Sequence, residues 1–461
     1  MPISPKIETG LLPTVLIKDE PTPEKSLFSR MQELHVPGVS IAFFENGQLA
    51  WSKAYGYADV ANKRPLTRDT LLQAGSISKP LSAAAALQLV EKGKLDLDRD
   101  VSTVLKSWRI PSNTFPSVQK VTLRRLLSHT AGLTVQGFEG YSRGETLPTL
   151  PQILNGRKPA NSAPVVVNTT PGTQYIYSGG GYVVAQLLME EATGAPFASL
   201  MRENVLKPLQ MTHSTYEQPL PSSSWKDASL GYDMAGNPIK GGWHVYPEQT
   251  AAGLWTTPSD LALFAIELQN DYAGASGGLL TPEMAHTMLT PVLDGYGLGM
   301  DVPTSGTLRF GHGGANAGFK ALLFAYTGGS RQGVAIMTNG NQGDKLASEI
   351  RCAIAKAYGW PEYLPKVLSV VSVDERVLRS YAGHYVIDSN REFDVSTDGR
   401  TLFVSGPPFG PAPAAAKFSS PTDFFSLDPE FSGKFVKGSD GSATSIVFGG
   451  GSVANRTAAQ K

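Results

Sequence analysis

The sequence contains very little cysteine and carries no net charge. The chain of 461 residues contains one cysteine, Cys352, and its 40 Lys and Arg residues balance 40 Asp and Glu residues. A single cysteine excludes an intrachain disulfide and a cysteine-rich metal site. A net charge of zero gives no electrostatic argument for a nucleic-acid or acidic-membrane partner. The seven histidines show no paired spacing of the kind that holds a metal ion.

Long hydrophobic runs are also missing. The apolar stretch GLLPTVLI, residues 10–17, is short, contains Pro13 and follows no basic segment. It therefore predicts neither a transmembrane helix nor a signal peptide. We expect a cytoplasmic protein, or a periplasmic or secreted one if a signal has been removed.

The order of patterns along the chain predicts its domains. Strand-like runs joined by Asn46-Gly47 are followed by a helix-rich middle over about 100–270, by strands from 296 and by an amphipathic helix over 344–360. This order predicts an α/β domain whose sheet is built from both of its ends, with a helical insert between them. We predict an N-terminal extension over 1–24, a main domain over 25–365 and a small all-β barrel over 374–461.

The stretch AGSISKP, residues 74–80, places a serine and a lysine where a helix begins. Pro80 is tolerated only in the first turn of a helix, so the helix starts close to Ser76. Residues three apart share a helical face, which makes Ser76 and Lys79 neighbours. A buried lysine has a lowered pKa and can take the proton of a serine nucleophile. A helix-capping serine beside a solvated lysine is the simpler alternative.

Two other serines fit nucleophile patterns. Ser117 and Lys120 also form S-x-x-K, but a β-branched pair follows them and a helix does not. Ser142 lies in Gly140-Tyr-Ser-Arg-Gly144, which matches the G-x-S-x-G elbow. That elbow needs a strand before it and a helix after it, whereas this stretch is polar and broken by prolines. Ser142 stays the alternative nucleophile.

Two further stretches carry candidate site residues. Tyr177 precedes a glycine run that opens a helix, and His312 lies at a strand end before Gly313, Gly314 and Ala315. Glycines there allow close approach of the backbone. Each stretch, taken singly, also has a purely structural explanation: the glycines would form turns, and Tyr177 would be a core residue. Neither run has the G-x-G-x-x-G spacing of a nucleotide-binding loop.

Taken in order, these motifs resemble those of the serine β-lactamase and penicillin-binding-protein superfamily, and in particular the class C β-lactamase-related branch of esterases, D-amino-acid peptidases and amidases. The resemblance covers about residues 25–360 and includes the framework-like stretches LLSHTAGL and YGLGM. Ser76-x-x-Lys79 matches the first motif, Tyr177-Ser178-Gly179 the Tyr-x-Asn motif and His312-Gly313-Gly314 the Lys-Thr-Gly position. The resemblance implies a fold with an antiparallel sheet flanked by helices, a helical subdomain and a lipocalin-like C-terminal barrel.

The resemblance also implies a mechanism without metal or organic cofactor. Ser76 would form the acyl-enzyme, and Lys79 and Tyr177 would share the general-base role. His312 would orient Tyr177 or bind substrate, and the backbone N–H groups of Ser76 and Ala315 would form the oxyanion hole. His312 and Gly179 replace the family's motif lysine and asparagine, which argues against efficient β-lactam hydrolysis.

The expected substrate is an ester or amide of a small molecule or short peptide. The residues predicted to line its pocket are Ser178, Gly179, Gly313, Gly314, Tyr141, His244 and Trp255. The aromatic members of this set are equally compatible with a core position. An acyltransferase using the same acyl-enzyme, a non-catalytic penicillin-binding-type sensor and a homo-oligomer all remain open.

Overall fold

The computed structural model describes residues 4–115, 119–275, 277–388, 391–427, 430–439, 441–449 and 451–457. Two compact units divide the chain. The first comprises Met1–Gly10 and Lys25–Arg351, and the second comprises Leu11–Glu24 and Cys352–Lys461. The predicted domain boundaries at 24, 365 and 374 stay predictions.

The secondary structure alternates strands and helices along the chain. The α-helices are α1 (Ser4–Thr9), α2 (Leu27–Glu33), α3 (Ser78–Glu91), α4 (Leu123–Leu127), α5 (Leu150–Leu154), α6 (Gly179–Thr193), α7 (Phe197–Met201), α8 (Gln249–Ala252), α9 (Pro258–Tyr272), α10 (Pro282–Met288), α11 (Gly343–Tyr358) and α12 (Glu375–Tyr381). The strands are β1 (Val15–Ile17), β2 (Gly38–Glu45), β3 (Gln48–Asp59), β4 (Arg64–Pro65), β5 (Leu72–Gln73), β6 (Tyr141–Ser142), β7 (His244–Val245), β8 (Trp255–Thr256), β9 (Arg309–Asn316), β10 (Phe319–Tyr326), β11 (Gly333–Thr338), β12 (Lys366–Leu368), β13 (Gly383–Asp388), β14 (Arg391–Thr397), β15 (Leu402–Gly406), β16 (Gly410–Phe418), β17 (Asp423–Leu427), β18 (Glu430–Lys437), β19 (Ala443–Phe448) and β20 (Val453–Thr457).

A six-stranded sheet forms the frame of the first unit, in the order β4-β3-β2-β11-β10-β9. Its paired neighbours are antiparallel. Asn46 and Gly47 both have positive φ, as a two-residue hairpin turn between β2 and β3 requires. The sheet thus combines strands from both ends of the domain, as predicted, and leaves β9 at one edge.

A helical insert lies between β4 and β9 in sequence and contains the central helix α3. Every residue from Ser78 to Leu89 is buried, so protein surrounds α3 on all sides and the helix has no solvent-facing stripe. Its four consecutive alanines keep the helix thin enough to pack on all sides. Gly93 has φ +67° just beyond the helix end, which an L side chain would adopt only with strain.

The second unit contains a closed antiparallel barrel of eight strands, β13 to β20. Aromatic side chains fill its interior, and the rings of Tyr381 and Phe435 stack with centroids 4.0 Å apart. The parallel pair β1 and β12 belongs to the same unit. The predicted fold class, an α/β domain with a helical subdomain and a C-terminal all-β barrel, is confirmed.

Within the described ranges, no helix is both long and apolar enough to cross a membrane.

Candidate active site

Ser76 and Lys79 meet at the start of α3, as their spacing predicts. Ser76 lies in a 3-10 turn, Gly75–Ile77, that runs directly into the helix, and Pro80 is the third helical residue. Lys79 Nζ lies 3.0 Å from Ser76 Oγ and donates to the carbonyl oxygen of Ala251 at 2.9 Å. The serine is partly exposed, so its hydroxyl is accessible while its lysine partner is not.

Burial determines the charge of Lys79. Its side chain is 2% exposed, and this desolvation lowers its pKa from 10.5 to about 7. No carboxylate within 4.0 Å forms an ion pair with it among the described residues. The aromatic rings of Tyr177 and Tyr182 lie 4.9 and 5.4 Å from Nζ, and neither phenol is ionised at neutral pH, because burial raises the pKa of both. The neutral amine is therefore well populated near neutral pH and can accept a proton.

Tyr177 is held beside Ser76 by the cap of α6. Ser178 is the N-cap residue, and its hydroxyl accepts the Gly181 N–H at 2.9 Å and donates to Thr134 O at 2.7 Å. Burial raises the pKa of Tyr177 to about 12, although its hydrogen bond with Ser76 opposes that shift. The phenol is therefore protonated at neutral pH and can pass a proton rather than remove one unaided.

His312 is a buried, neutral imidazole. Its Nδ1–H donates to Gly313 O at 2.5 Å, and its Nε2 accepts from the Tyr296 hydroxyl at 3.1 Å. Burial, followed by the nearby Lys79, lowers its pKa to about 3. The ring centroids of His312 and Tyr177 are 6.1 Å apart. His312 thus has Tyr296 as its side-chain hydrogen-bond partner and Gly313 O as its backbone partner, and it supplies no positive charge to the cleft.

Two glycines let the edge strand β9 lie against the serine turn, the 3-10 turn Gly75–Ile77 that carries Ser76. A Cβ atom on Gly314 would lie 1.9 Å from Ala74 O, and one on Gly75 would lie 2.5 Å from Ala315 N. Gly75 also has φ +52°. The backbones of the serine turn and of β9 can approach this closely only because both positions lack a side chain. This approach places Ala315 beside Ser76, where the predicted oxyanion hole would form.

The resulting cleft has a volume of about 490 Å³. Its lining comprises Ser76, Tyr177, His312, Gly313, Gly314, Ala315, Lys320, Ala321, Leu322, Asp344, Ala347 and Ser348. Three predicted catalytic residues, Ser76, Tyr177 and His312, therefore line one cleft. The fourth, Lys79, is buried behind Ser76. Among the described residues, no cluster of His, Cys, Asp or Glu is arranged to hold a metal ion.

Several predicted substrate-binding residues lie elsewhere. Trp255 is 0% exposed and packs against Trp243 and Phe319, so its assignment to the pocket is wrong and it is a core residue. The hydroxyl of Ser178 is used in the helix cap, as described above. Gly179 is buried against Gln136 O. None of these three residues lines the cleft.

Tyr141 and His244 belong to the small β6–β7 pair. The Tyr141 hydroxyl accepts the Asn161 N–H at 3.2 Å, and His244 Nδ1 bonds with Glu139 O at 2.8 Å. Neither lines the cleft. Ser142 lies in β6 and is followed by a turn instead of a helix, so the nucleophile elbow does not form. Ser117 lies outside the described residues. The expectation that no helix follows Lys120 is wrong, because Thr122 caps the short helix α4 (Leu123–Leu127).

His129 and Tyr296 were not among the predicted site residues. His129 Nδ1 accepts the Ser178 N–H at 3.0 Å, and its ring lies 4.2 Å from that of Tyr177. Burial lowers the pKa of His129 well below 6.5, so it is neutral. Both residues lie in stretches that resemble the family framework, LLSHTAGL and YGLGM, and that was the signal available in the sequence.

Comparisons with known proteins agree with this geometry. The family model described as Beta-lactamase matches residues 25–358. Protein flp of Staphylococcus aureus (strain N315) is 26% identical over 248 residues, which are 53% of this chain and 46% of that protein. The chain thus spans about half the length of the curated relatives of this kind.

The fold also occurs in solved structures of other proteins. The octameric penicillin-binding protein homologue from Pyrococcus abyssi has a TM-score of 0.63 at 22% identity, covering 93% of this chain and 98% of that one. The D-amino acid amidase from Ochrobactrum anthropi SV3 has a TM-score of 0.56 at 21% identity, covering 72% and 99%. Because the family model spans well over half of the chain, this protein belongs to the β-lactamase and penicillin-binding-protein superfamily of serine hydrolases.

Proposed function

We propose that this protein cleaves an ester or amide through an acyl-enzyme on Ser76. The observation that carries the proposal is the buried Lys79 amine, 3.0 Å from the serine hydroxyl and with a pKa of about 7. A base whose pKa lies near the working pH combines the correct protonation state with useful basicity. The other titratable groups beside Ser76 do not change charge near neutrality.

The chemistry proceeds in two steps. Ser76 Oγ attacks the carbonyl carbon as its proton moves to Lys79, and Tyr177 relays a proton to the leaving group as the C–O or C–N bond breaks. Because these protons are shared, the two residues act as one titrating unit. The N–H groups of Ser76 and Ala315 stabilise the oxyanion. Water, activated by the same pair, then releases the acyl group and restores the serine.

The neutral His312 argues against β-lactams as good substrates, because the cleft has no cation at the position of the family's motif lysine. The D-amino acid amidase among the structural neighbours supports D-configured amides as candidates. Acyl transfer would use the same acyl-enzyme, with an amine or alcohol replacing water.

A substrate panel tests the proposal. Wild type, Ser76→Ala and Ser142→Ala are compared on p-nitrophenyl esters, D- and L-aminoacyl amides and nitrocefin. We expect ester turnover that falls by several orders of magnitude in Ser76→Ala and is unchanged in Ser142→Ala. Turnover that survives in Ser76→Ala refutes the proposal, and the absence of any turnover favours the sensor. Product analysis with an added amine separates hydrolysis from acyl transfer.

We also propose that the protein forms a homo-oligomer, a proposal supported by the octameric state named for the Pyrococcus abyssi homologue. Light scattering coupled to size-exclusion chromatography measures its mass directly, and a monomer over the accessible concentration range would contradict it.

A further inference from the structure

The cleft continues past Ser76, across the edge strand β9, to a second wall that no predicted site residue occupies. This wall consists of Lys320 and Leu322 on β10 and of Asp344, Ala347 and Ser348 on α11. A Cβ atom on Gly343, at the start of α11, would lie 3.2 Å from Lys320 Cβ, so the lysine stem packs against the first turn of the helix. The wall has a mostly apolar floor with one cationic and one anionic side chain.

The two charges on this wall are not equivalent. Asp344 lies in the first turn of α11, where the helix dipole stabilises a carboxylate, and it accepts the Lys345 N–H at 2.9 Å. Lys320 is partly buried, and within the described ranges its ammonium has neither a hydrogen-bond nor an ion-pair partner. Of the two charged side chains on this wall, Lys320 is thus the one without a polar partner among the described residues.

Other groups in the cleft do not supply that charge. His312 is neutral, and Lys79 is buried behind Ser76 with its amine directed to Ser76 and to Ala251 O. We propose that Lys320 is a specificity-determining residue that binds a carboxylate on the substrate, several bonds away from the scissile carbonyl. The inference rests on the proposed function, because it places the anionic end of the substrate relative to Ser76.

Matched esters test the role of Lys320. The p-nitrophenyl ester of pentanoic acid and the mono-p-nitrophenyl ester of glutaric acid have the same chain length, but only the second carries a carboxylate. In Lys320→Met, which keeps an apolar stem, we expect KM for the glutarate ester to rise about five- to tenfold, as for the loss of one partly exposed ion pair. KM for the pentanoate ester and kcat for both should stay within about twofold.

Two further variants separate charge from packing. Lys320→Arg should restore the preference for the glutarate ester, because the charge is kept. Asp344→Asn should strengthen that preference, because a repulsive carboxylate is removed. Salt should weaken the preference in wild type and have little effect on it in Lys320→Met.

The outcomes distinguish this inference from the proposed function. If Lys320→Met changes KM equally for both esters, or for neither, the inference is wrong while Ser76-dependent turnover leaves the hydrolase assignment intact. If neither ester is turned over and the full substrate panel also shows no turnover through Ser76, the hydrolase assignment fails. Binding of the glutarate ester then decides whether Lys320 is an anion site. Saturation-transfer NMR of the glutarate ester with Ser76→Ala then supports the anion site only if the signal disappears in the Ser76→Ala/Lys320→Met protein; a retained signal, or none in either, overturns it.

Discussion

The buried Lys79 makes a quantitative prediction about pH. With a pKa of about 7, the amine is about three-quarters neutral at pH 7.5, whereas a solvent-exposed lysine with a pKa of 10.5 would be neutral in about one molecule in a thousand. Burial therefore increases the available base by about 700-fold. We expect kcat/KM for a neutral ester to rise with pH through an inflection near 7, since that ratio reports the free enzyme.

The assay is a pH–rate profile of wild type, Lys79→Arg and Ser142→Ala. Arginine keeps the positive charge and is not deprotonated in proteins, so Lys79→Arg should lose about 10²- to 10⁴-fold in kcat/KM. Ser142→Ala should keep the wild-type profile. A wild-type profile without an inflection between about pH 6 and 8, or a Lys79→Arg variant of normal activity, would refute the assignment of Lys79 as the base.

The same burial predicts a stability effect that does not depend on catalysis. Between pH 7 and 10.5 the unfolded lysine binds a proton that the folded one has lost, so the free energy of unfolding rises with pH across this window. The full rise is on the order of 5 kcal/mol for this group. Lys79→Met lacks the contribution, so its stability advantage over wild type should shrink as the pH rises. Urea unfolding at several pH values measures this, and a difference independent of pH would contradict the proposed cause.

Two further predictions concern folding. Glu248 is 0% exposed, and burial raises its pKa to about 8, so the free energy of unfolding should fall by up to about 5 kcal/mol as the pH rises from 4.5 to 8. Glu248→Gln should therefore be more stable than wild type at alkaline pH and similar at acid pH in thermal unfolding, whereas an unchanged pH dependence would count against a buried carboxyl. Gly314→Ala should lower the free energy of unfolding by about 1–3 kcal/mol and weaken activity, because its methyl would meet Ala74 O at 1.9 Å. Gly313→Ala is the matched control, since its methyl would enter open space; equal melting temperatures for the two variants would disprove the close approach of β9.

Local patterns in the sequence predicted the parts of the fold that local chemistry determines. Asn46-Gly47 gave the hairpin turn, because its two residues tolerate positive φ. Pro80 located the start of α3, and the helical repeat then made Ser76 and Lys79 neighbours. These inferences needed no knowledge of residues distant in the chain.

Contacts between distant segments could not be predicted in the same way. The partner of His312 is Tyr296, and the partner of His129 is the backbone N–H of Ser178, 49 residues away. Trp255 was wrongly assigned to the pocket for a different reason. An aromatic residue near site motifs can belong to the pocket or to the core beneath it, and the sequence does not separate the two. Lys320 could not be distinguished from a surface lysine until β10 and α11 were seen to share the wall of the cleft.

Covalent labelling of Ser76 by a serine-reactive probe tests its assignment as the nucleophile most directly. Wild type, Ser76→Ala and Ser142→Ala are treated with a fluorophosphonate probe, and intact-mass spectrometry with peptide mapping gives the stoichiometry and position of the adduct. We predict one adduct per chain on the peptide that contains Ser76, formed faster above about pH 7, equal in Ser142→Ala and absent in Ser76→Ala. An adduct on Ser142, or a folded wild-type protein that forms none, would contradict the assignment of Ser76 as the nucleophile.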